Sequence, residues 1–279
     1  MGNRLTDRVI AITGAGRGIG AATAEALTQE GARVAIGDVD LDVAKATAER
    51  IGGDTVALPL DVTSAESVAE FMDAVESTLG PIDVYINNAG VMPLSPVLDE
   101  DDAVIDRIFA INTRAMIHGT RAAARRMLPR GRGHIVNIAS TAGKAGIAGS
   151  ATYCASKAAV VQYTEGAYAE LHPHGLEFSI VMPGITRTEL TSGVVDMPGF
   201  RAITPQSVAD AIVAAVVKPR LEVYVPKSAG PLINVTRLLP FRVGQALGRR
   251  MGVDHVFMDA IERPERSAYE ARATGRDHE

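Results

Sequence analysis

Tryptophan is absent from this 279-residue chain, and aromatic residues of all kinds make up only 4% of it. Proteins that bind nucleic acid often stack bases on aromatic side chains and attract phosphates with a basic field. The formal net charge here is -5, so the chain has no overall basic field. The composition therefore argues against nucleic acid as a partner.

Cysteine is nearly absent too, because Cys154 is the only one. No intramolecular disulfide can form, which fits a reducing compartment, and we expect a cytoplasmic protein. No apolar run reaches the roughly 18 residues that a membrane-spanning helix needs. The six histidines show no ligand spacing, so we expect no catalytic metal.

Apolar runs rich in β-branched residues alternate with amphipathic stretches along most of the chain. The runs predict strands at Arg8–Thr13, Arg33–Gly37, Thr55–Pro59, Ile82–Ile86, His134–Ile138, Glu177–Met182 and Leu221–Val225. The stretches predict helices at Ile19–Glu30, Leu41–Ile51, Ser64–Leu79, Asp101–Met127, Thr152–Leu171 and Pro205–Lys218. Such alternation predicts an α/β fold, a doubly wound parallel sheet with helices on both faces. We assign it to one domain, residues 1–227.

A glycine-rich segment joins the first strand to the first helix. It reads T-G-x-x-x-G-x-G, with Gly14, Gly18 and Gly20 at the glycine positions and Arg17 and Ile19 between them. A helix N-terminus offers unpaired amides and a partial positive charge, and glycines let a ligand approach the backbone. The segment predicts a site for a dinucleotide pyrophosphate. A glycine-rich turn without a ligand is the alternative.

Asp38 closes the second strand, 18 residues after Gly20. An acid at this position can hydrogen-bond both ribose hydroxyls of adenosine and repels a 2′-phosphate. It therefore favours NAD over NADP. Arg17 is a counter-signal, because its guanidinium could meet a 2′-phosphate, so NADP stays as the alternative cofactor.

Further motifs follow the remaining strands, and together they make the chain resemble the short-chain dehydrogenase/reductase family, in its short single-domain branch, from Leu5 to Val225. In chain order they are the glycine-rich turn, Asp61-Val62, Asn87-Asn88-Ala89-Gly90, Asn112, Ser140, Tyr153 with Lys157, and Pro183-Gly184 with Thr188. The resemblance implies a Rossmann fold of about seven strands in the order 3-2-1-4-5-6-7. It also implies a nicotinamide cofactor across the carboxyl ends of the strands.

The resemblance also implies individual cofactor contacts. Asp61 is expected to bind the adenine amino group, and Val62 to flank the ring. Asn88 is expected to line the cofactor and brace the central strand together with Ala89 and Gly90. Beyond Pro183 and Gly184, the residues expected to meet the carboxamide end of the nicotinamide are Thr186 and Thr188.

Tyr153 and Lys157 lie four residues apart, on one side of a predicted helix. Alcohol oxidation requires a base for the hydroxyl proton, and a neighbouring ammonium lowers the pKa of a tyrosine from ~10. We therefore expect Tyr153 to be the acid/base group and Lys157 to lower its pKa. The resemblance adds that Lys157 binds the nicotinamide ribose, Ser140 holds the substrate oxygen, and Asn112 holds a water that links Lys157 to solvent.

Three loops near the tyrosine, Gly90–Pro96, Thr141–Ser150 and Glu189–Ile203, are rich in small and apolar residues. These are Val91, Met92, Leu94, Ala145, Ile147, Ala148, Leu190, Val194, Val195, Met197 and Phe200. They predict a hydrophobic secondary alcohol or ketone as substrate, with a steroid-, retinoid- or fatty-chain-like body. A 3-oxoacyl-type reductase and a non-catalytic dinucleotide-sensing or scaffold protein are alternatives. An epimerase or dehydratase of nucleotide-sugars is disfavoured, because few residues remain for a larger substrate domain.

The remaining residues, 228–279, form a C-terminal extension. Its first part, Ala229–Gly252, carries Arg237, Arg242, Arg249 and Arg250 and no acid, and Pro240 limits it to two short helices. It can pack at a subunit interface, cover the substrate cleft or lie on an anionic membrane surface. After Arg263 the dense charge predicts disorder. The family resemblance implies a homodimer or homotetramer through the helices at Asp101–Met127 and Thr152–Leu171.

Overall fold

The sheet is the centre of the molecule. The structure is a computed structural model that describes residues 3–195, 202–250, 252 and 255–275. Within these residues seven strands form one parallel sheet in the order β3-β2-β1-β4-β5-β6-β7, which confirms the predicted doubly wound fold. The strands are β1 (Val9–Thr13), β2 (Arg33–Asp38), β3 (Thr55–Pro59), β4 (Val84–Asn87), β5 (Gly133–Ile138), β6 (Leu176–Pro183) and β7 (Glu222–Val225).

Helices connect the strands and extend the chain beyond them. They are α1 (Gly18–Gln29), α2 (Leu41–Ile51), α3 (Ala65–Leu79), α4 (Asp102–Phe109), α5 (Ala115–Met127), α6 (Ala151–Leu171), α7 (Pro205–Val217), α8 (Ala229–Leu238), α9 (Phe241–Arg250), α10 (His255–Met258) and α11 (Ser267–Thr274). Local chemistry sets several of their ends. The Ser64 side chain accepts from the Ser67 amide at the start of α3, and Gly80 ends that helix with a φ of 99°. Such caps satisfy backbone groups that the helix leaves unpaired.

Side chains that alternate along each strand supply one apolar layer on each face of the sheet. On one face Ile10 and Ile12 of β1 belong to a buried layer that also includes residues of α1 and α7. On the other face Val9 and Ala11 belong to a layer formed with α3 and α5. Burial on both faces explains why the strands are almost entirely apolar.

The predicted helix Asp101–Met127 is interrupted. A π-helical turn, Ala110–Arg114, separates α4 from α5 and contains the buried Asn112. The Asn112 amide donates to the Val91 carbonyl at 2.9 Å, and its side-chain oxygen accepts from the Val91 amide at 2.8 Å. These two bonds fix Asn112 against the loop after β4. Single π-turns inside α-helices are frequent at functional sites.

The segment after Arg263 is folded where the sequence predicts disorder. Residues Pro264–Arg266 form a 3-10 turn that leads into α11, and the Arg266 side chain has no exposed surface. The prediction of disorder is therefore wrong for residues 264–275, because carbonyl groups of two distant loops, rather than water, bind this arginine. Residues 276–279 lie outside the described residues.

α8 and α9 lie on either side of Pro240, as that proline predicts. The buried Gly230 packs α8 against Tyr224 of β7, where an added Cβ would approach the ring to 2.7 Å. Leu232, Val235 and Leu238 of the same helix are exposed. Within the part of the chain that the structure describes, no helix combines the length and the apolar character needed to cross a membrane.

Candidate active site

A cavity of about 510 Å³ opens at the carboxyl ends of the strands. All the residues that the sequence predicts for the site line it, except Gly20 and Asn112. The lining members are Gly14, Arg17, Gly18, Ile19, Asp38, Asp61, Val62, Asn88, Ala89, Gly90, Ser140, Tyr153, Lys157, Pro183, Gly184, Thr186 and Thr188. Parallel strands bring these loops to one edge of the sheet, as is usual for ligand sites in open α/β folds.

The glycine-rich turn is packed too closely for side chains. A Cβ on Gly14 would lie 2.7 Å from the Ala89 Cα, and one on Gly20 would lie 2.6 Å from the Asn88 amide nitrogen. The Asn88 side chain donates to the carbonyls of Thr13 and Gly14 at 2.9 and 2.8 Å. Asn88 thus fastens the turn to the loop after β4, and Gly20 lies behind the cavity wall.

The start of α1 suits a phosphate group. Among the described residues no side chain caps this helix, so its first amides keep their donors for a ligand. Thr188 faces the turn across the cavity, because its methyl carbon would lie 3.4 Å from a Cβ on Gly18. The uncapped helix end and the glycine cradle therefore fit the pyrophosphate of a dinucleotide.

Asp38 is held in place at the end of β2. Its two carboxylate oxygens accept from the amides of Gly16 at 2.8 Å and Asp40 at 3.1 Å. The Arg17 guanidinium pairs with the Asp40 carboxylate at 2.8 Å. The Val43 amide and then Arg17 hold the pKa of Asp40 below its ordinary value. The charge of Arg17 therefore faces an acid rather than standing free in the cavity.

Tyr153 and Lys157 lie on α6 and are both buried. The Lys157 Nζ donates to the Ile138 carbonyl at 2.9 Å and lies 5.9 Å from the centroid of the Tyr153 ring. Burial raises the pKa of Tyr153 to about 12, and a hydrogen bond with the Ser140 side chain opposes that rise. Burial lowers the pKa of Lys157 to about 8.

These pKa values differ from the sequence-based expectation that Lys157 lowers the pKa of Tyr153. Burial disfavours the charged form of each group, and it is the largest influence on both pKa values. The phenol of Tyr153 therefore keeps its proton at neutral pH.

Asn112 lies behind the cavity and contacts its wall. Its amide donates to the Ser156 hydroxyl at 3.0 Å as well as to Val91. A Cβ on Gly90 would lie 3.2 Å from the Asn112 Oδ1 and 3.3 Å from the Lys157 Nζ. There is therefore little room for a side chain at Gly90, because Asn112 and Lys157 both lie close to it. The water that the family resemblance implies at Asn112 stays a prediction.

The C-terminal segment supplies a wall of the cavity that the sequence analysis missed. The lining residues from this segment are Phe257, Tyr269, Arg272 and Ala273. Arg107 of α4 also lines the cavity and donates to the Ala273 carbonyl at 2.9 Å. The spacing of Arg266, Tyr269 and Glu270 at i, i+3 and i+4 was the available signal, because it places all three on one face of a helix.

Arg266 holds this wall against two loops. Its guanidinium donates to the carbonyls of Leu190 at 2.9 Å, Ser192 at 3.2 Å and Met92. It also pairs with Glu270, which accepts from the Leu94 amide at 3.1 Å. One buried charge thereby connects the loop after β4, the loop after β6 and the C-terminal segment.

The surroundings of Tyr153 are largely apolar. Of the apolar loop residues predicted to face the substrate, Val91, Met92, Ile147 and Leu190 line the cavity. Leu94 and Cys154 are buried beside Tyr153 in an apolar cluster that includes Phe257. Met197 and Phe200 lie outside the described residues.

In residues 3–195, 202–250, 252 and 255–275, no group of three or more histidine, cysteine, aspartate or glutamate side chains is placed to hold a metal ion. The polar groups that line the cavity are hydroxyl, ammonium, guanidinium, amide and carboxylate groups, which suit an organic ligand with phosphates and hydroxyls.

Comparison with known proteins places these features in a family. A family model described as short chain dehydrogenase matches residues 8–198. Sorbitol dehydrogenase from Cereibacter sphaeroides is 42% identical over 192 residues, which cover 68% of this chain and 75% of that protein. The probable oxidoreductase EphD of Mycobacterium tuberculosis is 35% identical over 257 residues, covering 84% of this chain and 43% of EphD. This chain therefore spans less than half the length of EphD.

Solved structures agree on the fold. A short chain dehydrogenase/reductase from Burkholderia phymatum, crystallised in complex with NAD, matches with a TM-score of 0.77 and 24% sequence identity. The match covers 85% of this chain and 95% of that one. At this identity it establishes the architecture alone.

Proposed function

The chain belongs to the short chain dehydrogenase family, and from that membership we propose an NAD-dependent oxidoreductase that interconverts a hydrophobic secondary alcohol and its ketone. The family itself consists of oxidoreductases that act on CH–OH groups. The observation that carries the proposal is one cavity that contains Tyr153, Ser140 and Lys157 together with the glycine-rich turn.

In this mechanism the protein handles the proton. The nicotinamide, when bound, exchanges the hydride with the substrate carbon. Ser140 holds the substrate oxygen by its hydroxyl and stabilises the charge that develops there. Tyr153 gives its phenol proton to that oxygen in reduction and takes the proton back in oxidation. Lys157 binds ribose hydroxyls and keeps a positive charge near the phenol.

The protonation states suit this role. At neutral pH Tyr153, with a pKa near 12, carries the proton that a ketone must receive. Oxidation requires the phenolate, and any positive charge that binds beside Tyr153 lowers its pKa toward the working range. The reaction in the alcohol-to-ketone direction should therefore be faster at alkaline pH.

Preference for NAD over NADP is supported by two carboxylates. Asp38 stands at the end of β2, where it can accept from ribose hydroxyls and repel a 2′-phosphate. Arg17, the group that could attract such a phosphate, is paired with Asp40. Both features favour the dinucleotide without the extra phosphate.

A hydrophobic substrate body is supported by the apolar side chains around Tyr153, such as Met92, Leu190 and Phe257. The relative that is 42% identical is a sorbitol dehydrogenase, which makes a polyol the competing substrate class. A 3-oxoacyl-type substrate would also fit an apolar wall. A non-catalytic role is disfavoured, because the acid/base, oxyanion and ribose-binding side chains face one cavity.

We also propose that α8 and α9 bind an anionic membrane surface. Leu232, Val235 and Leu238 are 48%, 59% and 86% exposed on α8. Arg237, Arg242, Arg249 and Arg250 accompany them, and no acid lies between residues 229 and 252. An exposed apolar face flanked by arginines is the pattern of a helix that lies in a membrane interface.

A second copy of the chain is a poorer partner for this surface. A two-fold interface sets the same patch of each copy against itself, so the arginines of α8 and α9 would meet arginines. We assign oligomer contacts instead to α4, α5 and α6, as in the family resemblance. Phe109 of α4 is 38% exposed there and lines an open recess with Ile117.

The activity is tested by incubating the purified chain with NAD or NADP and a panel of long-chain secondary alcohols, sterols and sorbitol. Absorbance at the nicotinamide band reports turnover. We expect turnover with NAD and a hydrophobic alcohol, and a loss of about 100-fold or more in Tyr153→Phe. Tyr163→Phe, on the same helix, is the matched control and should keep wild-type rates. Preference for sorbitol would refute the hydrophobic substrate class, and full activity in Tyr153→Phe would refute the mechanism.

A further inference from the structure

Tyr269 of α11 is a second phenol in the cavity that contains Tyr153. Only 9% of its surface is exposed. Its hydroxyl oxygen accepts a hydrogen bond from the Met92 amide at 2.7 Å. Among the described residues, nothing accepts the proton of this hydroxyl. Because Tyr269 lines the cavity, the proton of its hydroxyl is available to an acceptor group of a ligand that binds there.

This hydroxyl keeps its proton under all ordinary conditions. Burial raises the pKa of Tyr269 well above its usual value, and the nearby Tyr153 adds to the rise. Tyr269 is therefore protonated at neutral pH and can donate a hydrogen bond there.

The position of the phenol is fixed before any ligand binds. The Arg266 guanidinium lies over the Tyr269 ring, 5.0 Å from its centroid. Arg266 is itself held by the carbonyls of Leu190, Ser192 and Met92. Donors that are oriented in advance discriminate strongly between ligands that can and cannot accept from them.

We propose that the Tyr269 hydroxyl binds a second oxygen of the substrate, so that the enzyme selects an alcohol or ketone that carries another hydroxyl or carbonyl group near the reacting carbon. Ser140 and Tyr153 hold the reacting oxygen, and Tyr269 holds its neighbour. The apolar wall contacts the rest of the molecule. This inference rests on the proposed oxidoreductase function and narrows its substrate class.

The competing explanation gives Tyr269 a purely structural role, as the acceptor for the Met92 amide. Replacement by phenylalanine would then orphan that amide and weaken the wall, with the same effect on every substrate. A substrate-binding role changes the preference between substrates instead. The ratio of kcat/KM values for matched substrates therefore separates the two.

Three eight-carbon substrates provide the test: 2-octanol, 1,2-octanediol and 2,4-octanediol. In the wild type we expect at least one diol to exceed 2-octanol in kcat/KM by about tenfold or more. In Tyr269→Phe that preference should fall to within about twofold of unity, while 2-octanol keeps most of its rate. Tyr163→Phe should leave the preference unchanged.

The outcomes are distinguishable from a failure of the proposed function. An equal loss for all three substrates in Tyr269→Phe, or a preference that survives the substitution, would overturn the role of Tyr269. A wild type that prefers 2-octanol would overturn it as well. If no alcohol is oxidised and NAD does not change the thermal unfolding of the wild type, the oxidoreductase proposal fails, and the inference about Tyr269 fails with it.

Discussion

The Nζ atom of Lys157 lies 5.9 Å from the centroid of the Tyr153 ring and gives a hydrogen bond to the Ile138 carbonyl at 2.9 Å. Both groups are buried away from water, where their charged forms are disfavoured. In the protein without ligands, burial therefore destabilises the ammonium form of Lys157. Catalytic groups commonly carry such strain, since function rather than stability selects them.

Replacement of Lys157 by methionine should abolish activity and stabilise the protein. The pKa of Lys157 is lowered from 10.5 to about 8, so the unfolded chain binds this proton more tightly than the folded one. The buried ammonium therefore lowers the free energy of unfolding by its full amount below pH 8. This penalty shrinks as the pH rises from about 8 to 10.5, and it is absent above pH 10.5. Below pH 8 we expect the free energy of unfolding of Lys157→Met to exceed that of the wild type by about 1–3 kcal/mol.

Urea unfolding at pH 7 and pH 10 measures this effect. The advantage of Lys157→Met should be largest at pH 7 and should shrink toward pH 10. Lys45→Met, at an exposed position on α2, is the control and should show no such dependence. A variant that is less stable than the wild type at pH 7 would contradict the account of the buried ammonium.

Asp38→Asn should weaken the choice of NAD over NADP. The substitution keeps an oxygen that can accept from the Gly16 amide and removes the charge that repels a 2′-phosphate. We expect the ratio of kcat/KM with NADP to that with NAD to rise about tenfold or more. Asp42→Ala, an exposed acid on α2, should leave the ratio unchanged. An unaltered ratio in Asp38→Asn would mean that other residues select the cofactor.

Arg266→Ala should destabilise the protein and impair substrate binding. The change orphans the carbonyls of Met92, Leu190 and Ser192 and leaves Glu270 without its partner. We expect a loss of about 3 kcal/mol and a fall in Tm of several degrees. Arg272→Ala removes an ion pair whose arginine side chain is 43% exposed, and its effect should stay below about 1 kcal/mol. Equal effects of the two substitutions in a thermal scan would contradict the role of Arg266.

Membrane binding through α8 and α9 should depend on both apolar and charged residues. Flotation with vesicles of phosphatidylcholine and 30% phosphatidylglycerol should carry the wild type, and pure phosphatidylcholine vesicles should carry less. The double variant Leu232→Asp with Val235→Asp should lose flotation. Truncation at Lys227 is unsuitable here, because it would also remove the wall of the cavity.

Leu98→Asp is the matched control for that experiment, since Leu98 is 96% exposed and lies outside α8 and α9. It should float like the wild type. If the double variant instead changes the oligomer size in gel filtration and the wild type never floats, the surface joins copies of the chain.

Much of the fold could be predicted from the sequence because it depends on local patterns. The run Val9–Ile12 is apolar at every position, and the glycine-rich turn that starts at Thr13 directly follows it, so neighbouring residues alone predict both the strand and the phosphate site. Segments that follow parallel strands meet at one edge of the sheet. The order of strands and helices in the sequence therefore also predicts that Ser140, after β5, lies near Tyr153 and Lys157 at the start of α6.

The rest depends on contacts between distant parts of the chain. Arg266 bonds to the carbonyl of Met92 across a separation of 174 residues. The local spacing of Arg266, Tyr269 and Glu270 indicates a shared helix face, but it does not identify a partner so far away in the sequence. Local composition there indicates a solvated segment. The pKa of Tyr153 was likewise out of reach, because burial dominates it and depends on the complete cavity.

The single cysteine of the chain gives this site a reporter of its own. Cys154 is buried in the apolar cluster that joins Tyr153 to Phe257 and Ala260 of the C-terminal segment. A thiol reagent can reach it only when that packing opens. The rate of covalent labelling therefore times the opening of the cavity wall directly, on the unmodified protein, and a ligand that closes the wall should slow it.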